Sequence, residues 1–124
     1  MFLIIGKRQA AHALARIGIN QAPSVAFPGQ RMLECIKPLL FLLNTDCSAL
    51  ENFESLLALC NIASESENCR RRIWEEEGYS KIEHYMYEDH AKLKLASVQC
   101  ITNMALSENV LKVLYFFVLR KAFV

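Results

Sequence analysis

Two stretches decide the fold: Ala58-Leu59-Cys60-Asn61-Ile62-Ala63 and Cys100-Ile101-Thr102-Asn103-Met104-Ala105. They share an apolar helical pattern with Asn at the same place, and Asn103 follows Asn61 by 42 residues. A weaker copy, Ala13-Leu14-Ala15-Arg16-Ile17-Gly18, precedes the middle one by 45 residues. Self-similarity at a period of about 40–47 residues is the signature of armadillo and HEAT repeats, each built from two or three helices. The chain is therefore read as all-α, a short armadillo-type solenoid of two to three repeats in one domain spanning residues 1–124.

The intervening segments fill in the repeat. Residues 36–43 (IKPLLFLL) read as a middle helix with Pro38 in its first turn, where a missing N–H does no harm. Its counterpart is residues 80–86. Residues 68–77 read as a short helix capped by Ser66 or Asn68 and ended by Gly78. A loop follows at Glu88-Asp89-His90. The long third helices are expected near 8–18, 50–64 and 92–107, from the 3.6-residue apolar period.

Each third helix is apolar around most of its circumference, as required where neighbouring repeats press on both sides. One narrow stripe stays polar: His12, Arg16 and Asn20 in the first copy, Glu54, Asn61 and Glu65 in the second, Gln99, Asn103 and Ser107 in the third. Stacking would align these into a polar row. An Asn amide offers both a donor and an acceptor to a peptide backbone. His12, Arg16, Asn61, Gln99 and Asn103 are therefore the candidate groove for a bound polypeptide. The competing reading of Asn61 and Asn103 is a solvated helix face or local side-chain-to-backbone bonding.

Composition narrows the function. Of 124 residues, 53% are hydrophobic and 22% charged, and the net charge is only +1, so no field draws the chain to nucleic acid or anionic lipid. The five cysteines include no CxxC pair and read as reduced residues of a cytoplasmic protein. The run Arg70-Arg71-Arg72 before Glu75-Glu76-Glu77 reads as a solvated face with internal ion pairs. His84 and His90 lack the spacing of a metal site, and no cysteine sits where its pKa would fall. No catalytic set, metal or cofactor is expected. The apolar stretch 110–124 carries Lys112, Arg120 and Lys121 and falls short of the roughly 20 residues a membrane span needs. It is expected to fold back as a helix on the exposed face of the last third helix, as a cap; the alternative is that it stays exposed and the chain associates or precipitates.

The stretches NFESLLALCNIAS, RRRIWEEEGYSKIEHYMYEDH and ASVQCITNMALSE resemble the UCS-domain family of myosin-directed chaperones, and QAAHALARIGIN and VAFPGQRMLECIKPLL fit the same family upstream. The resemblance is collinear over about residues 7–110 and looks closest to the animal members; residues 111–124 diverge. It implies an armadillo fold and chaperoning of the myosin motor domain during folding and thick-filament assembly. It also implies that the client is held along the groove where Asn61 and Asn103 fall. In that family Hsp70 and Hsp90 are recruited through a TPR domain, which has no counterpart in this sequence. A general armadillo or HEAT scaffold without chaperone activity is the alternative.

Overall fold

The computed structural model describes residues 2–122, and the side chains of Phe2, Val118, Lys121 and Ala122 lie outside the description. Among the described residues nine α-helices follow in order: α1 (Phe2–Asn20), α2 (Pro23–Ala26), α3 (Arg31–Glu34), α4 (Ile36–Phe41), α5 (Ala49–Ala63), α6 (Glu67–Glu75), α7 (Gly78–His84), α8 (Ala91–Met104) and α9 (Glu108–Ala122). A 3₁₀ turn, Tyr85–Tyr87, extends α7. The described residues contain no strand.

The long helices α1, α5 and α8 are the third helices of successive repeats, and α5 lies sandwiched between the other two. Leu56, Ala58, Leu59, Ile62 and Ala63 are fully buried around it, which explains why its sequence is apolar on nearly every side. The shorter helices lie along one flank of this layer. Leu39 of α4 and Ile82 of α7 supply fully buried side chains at matching positions, and α6 touches α3, α4, α5 and α7.

Local sequence sets the boundaries. Ser48 and Glu51 form a capping box at the start of α5, and the Ser66 hydroxyl caps α6 by accepting from the Cys69 N–H at 3.2 Å. Pro38 lies in the first turn of α4, as expected. α1 begins at Phe2 rather than near residue 8, because Gly6 costs only about 1 kcal/mol inside a helix that is already propagating.

Gly78 corrects the sequence reading in a different way. It does not end α6: the left-handed residue is Glu77, with φ 60°, and Gly78 is the buried first residue of α7. A Cβ at 78 would lie 2.7 Å from both the Ile73 carbonyl oxygen and its Cγ2, and 3.0 Å from Leu40 Cδ1. The glycine is there because backbone and core leave no room for a side chain, while Glu77 bears the strain of the turn.

The C-terminal stretch folds as the helix α9 but does not cap the stack. Val110 is fully buried and Leu114 partly so; Leu111, Tyr115, Phe116 and Leu119 remain exposed. Ser107-Glu108-Asn109 repeats Ser66-Glu67-Asn68, and α9 follows α8 as α6 follows α5. It thus starts as the first helix of another repeat. α6 is held there by α3, α4 and α7, whereas no helix among the described residues flanks α9 in this way.

Candidate functional site: a polar row that ties helix ends

The polar row is present along the third helices, but most of its members are already bonded within the stack. Asn61 donates from Nδ2 to the Gly18 carbonyl at 3.1 Å, and Asn103 donates from Nδ2 to the Cys60 carbonyl at 2.9 Å. The acceptors lie in the last turns of α1 and α5, where helix carbonyls have no partner within their own helix. Each asparagine therefore finishes the end of the preceding third helix, which is why it recurs near the C-terminus of its own. The two bonds are equivalent only if Gly18 corresponds to Cys60, an offset of 60 − 18 = 42. The first copy therefore sits 42 residues before the second, not 45, and Arg16 does not take the place of Asn61.

Arg16 and His12 instead converge on Glu54: His12 Nε2 lies 2.9 Å from its Oε1, and Arg16 Nε lies 3.4 Å from its Oε2. About one turn toward the N-terminus, Arg8 holds Glu51 through two hydrogen bonds, one of them from Nε at 2.6 Å. The Arg8 guanidinium, helped by the N–H and hydroxyl of Ser48, pulls the Glu51 carboxyl down to about 2, against the opposing pull of burial. Ser107, the last member of the row, is buried and donates to Glu67 at 3.2 Å. Gln99 and Arg16 are exposed, whereas His12, Asn61 and Asn103 are half-buried.

A second ladder was hidden in the apolar face. The fully buried Ser55 donates to the Leu39 carbonyl, and the fully buried Ser97 donates to the Ile82 carbonyl. Asn52 likewise donates to the carbonyls of Leu42 and Asn44, at 2.6 and 3.3 Å. These groups again answer carbonyls at or beyond the ends of the short helices. Arg70 does the same for α5, reaching the Ala63 carbonyl at 2.9 Å while pairing with Glu67 at 3.3 Å. It is only 12% exposed, so the first of the three arginines belongs to the packing rather than to a solvated face.

A solved structure of UNC-45 from Drosophila melanogaster superposes on 87% of this chain with a TM-score of 0.85 and 57% identity. The chain is an UNC-45-type armadillo segment. A second solved UNC-45, described for the features critical for binding and folding muscle myosin, superposes on 85% of the chain with a TM-score of 0.80 and 40% identity. The curated relative unc-45 homolog B from Xenopus laevis is 41% identical over 106 residues, 86% of this chain. The chain spans 11% of that relative's length, and 14% and 12% of the two solved UNC-45 chains. No family model matches it.

The UNC-45-type segment shows little that resembles a reaction centre. Burial pushes the thiols of Cys35, Cys47, Cys60 and Cys100 up, away from the reactive thiolate. His84 pairs with Glu88 at 3.2 Å, and no group of three or more His, Cys, Asp or Glu among the described residues could hold a metal. Trp74 and Tyr79 pack against each other with ring centroids 5.7 Å apart. An apolar groove of about 470 Å³ lies between α1 and α4, lined by Ala10, Leu14, Pro38 and Phe41, away from the polar row. No helix among the described residues is long and apolar enough to cross a membrane.

Proposed function

We propose that this segment is a protein-binding part of a cytoplasmic myosin chaperone and that it helps to hold the myosin motor domain during folding and filament assembly. The observation that carries the reading is the close likeness of 85% of this chain to UNC-45, a chaperone described as binding and folding muscle myosin. The client-facing groups are the exposed Arg16 and Gln99, with the half-buried His12, Asn61 and Asn103 behind them. Asn61 spends one amide hydrogen on the neighbouring helix, Asn103 turns its amide nitrogen to both the carbonyl and the thiol of Cys60, and the Oδ1 of each is offered to a client backbone N–H, since a side-chain amide has more than one bonding position.

The test is binding of an isolated myosin motor domain, followed by light scattering of that motor domain on heating with and without the chain, in the absence of nucleotide. The expected result is binding and suppressed scattering, both weakened by Arg16→Ala with Gln99→Ala. Each lost hydrogen bond should cost about 0.5–1.5 kcal/mol of affinity. Binding without suppressed scattering would instead describe a passive scaffold, and no binding would refute the proposal.

A further inference from the structure

The elbow between α6 and α7 carries a recess that the polar row does not use. Trp74, Glu77, Tyr79 and Ser80 line an open notch of about 330 Å³, and no residue of α1 or α9, the two end helices, lines it. The Trp74 and Tyr79 rings meet at 50° with centroids 5.7 Å apart. Both are half-buried against the core, so packing fixes the rings while part of each faces water.

Glu77 closes the notch. Its left-handed backbone turns the chain directly into α7, and the Ser80 hydroxyl holds the turn by donating to the Glu77 carbonyl at 3.3 Å. The Glu77 carboxylate has no ion-pair partner among the described residues; Lys81, four residues on, does not reach it. Burial, and then the charge of the nearby Glu83, push the Tyr79 hydroxyl up to about 12, so the ring stays neutral.

An aromatic face is electron-rich, and a cation within about 6 Å of its centroid is attracted to it. A planar guanidinium can lie on such a face while its N–H fork reaches a carboxylate, whereas an ammonium is a strongly hydrated point charge. The dipoles of α6, ending here, and α7, starting here, oppose one another and leave the carboxylates to set the sign of the field. We propose that the notch is a binding site for an arginine side chain of a partner polypeptide, stacked on Trp74 and Tyr79 and paired with Glu77.

Trp74 is the only tryptophan of the chain, so its fluorescence reports this notch alone. The full chain is titrated with three blocked tripeptides: acetyl-Gly-Arg-Gly-amide, its lysine analogue and its uncharged citrulline analogue. The expected result is a saturating change with the arginine peptide, at a midpoint of about 1–50 mM for a single side chain. The lysine peptide should bind about threefold or more weakly, and the citrulline peptide should give no saturating change. Glu77→Gln and Tyr79→Leu should each raise the arginine midpoint by about two- to fivefold while the circular dichroism spectrum is unchanged. If either variant melts lower than wild type, the three peptides on the unaltered chain decide alone. A response that never saturates, an equal response to the citrulline peptide, a lysine peptide that binds as tightly, or a midpoint unmoved in both folded variants would overturn the proposal.

Discussion

Replacing both row asparagines by alanine should destabilise the stack, by an amount that can be worked from the two bonds. Each substitution removes a donor to a carbonyl in the last turn of the neighbouring helix. The loss is about 0.5–1.5 kcal/mol per bond. Alanine returns about 0.5 kcal/mol of helix propensity at each site. Cys60 O also accepts from the Ser64 N–H at 3.3 Å, so that carbonyl is not orphaned and its loss falls toward the lower end. The two bonds lie in successive interfaces, one between α1 and α5 and the other between α5 and α8, so their effects add. The double variant Asn61→Ala with Asn103→Ala should thus lose about 1–2 kcal/mol of bonding against about 1 kcal/mol of propensity regained, a net loss of up to about 1 kcal/mol. For a chain of this size that is up to roughly 6 °C in melting temperature. Thermal melting followed at the helical circular dichroism band measures it, with Gln99→Ala as the control on the same row. Gln99 is exposed, so its truncation should stay within about 0.5 kcal/mol of wild type. A double variant that melts higher than wild type, by the roughly 1 kcal/mol that helix propensity alone would add, or an equal loss in Gln99→Ala, would refute the role of the asparagines as ties between helix ends.

Gly78→Ala should destabilise by about 1–3 kcal/mol, because the new methyl meets a backbone carbonyl that cannot move aside. Glu77→Gly should stabilise by about 1 kcal/mol by relieving the left-handed residue; urea unfolding of the pair measures both. Ser97→Ala should cost about 1–2 kcal/mol by removing a buried donor to the Ile82 carbonyl, read in the same way. The Glu51 carboxyl sits at about 2 in the folded chain against 4.5 when free, so its contribution is complete above about pH 4.5 and is lost as the pH falls toward 2. Arg8→Ala should flatten that part of the pH–stability curve, and an acid limb unchanged by Arg8→Ala would show that another group controls it.

The repeat was legible in the sequence because the third helices carry the same apolar pattern around the same asparagine, and pattern survives without coordinates. The register of the first copy was not. Short apolar helices match almost equally well when slid by one turn, and only the bonds from Asn61 and Asn103 fix the step at 42. The row itself was visible as a stripe, but a stripe does not say whether an amide faces solvent or the end of a neighbouring helix. Ser55 and Ser97 were invisible for the opposite reason: small hydroxyls within apolar runs look like filler until the carbonyl above them is seen. Gly78 reads locally as the glycine that follows a helix, whereas its reason is the tertiary packing of Ile73 and Leu40 against it.

The direction of the asparagine bonds gives the stack a chronology. In each bond the carbonyl belongs to the earlier helix and the amide to the later one, 43 residues downstream. A ribosome adding about 5–20 residues per second needs roughly 2–9 s to cover that gap. Throughout that interval the Gly18 carbonyl in the last turn of α1 waits for the amide that answers it, and the same wait then falls on the Cys60 carbonyl of α5, which meanwhile keeps the local Ser64 N–H. A nascent solenoid of this type therefore adds the tie at each helix end one repeat behind the point of synthesis, when the next asparagine arrives.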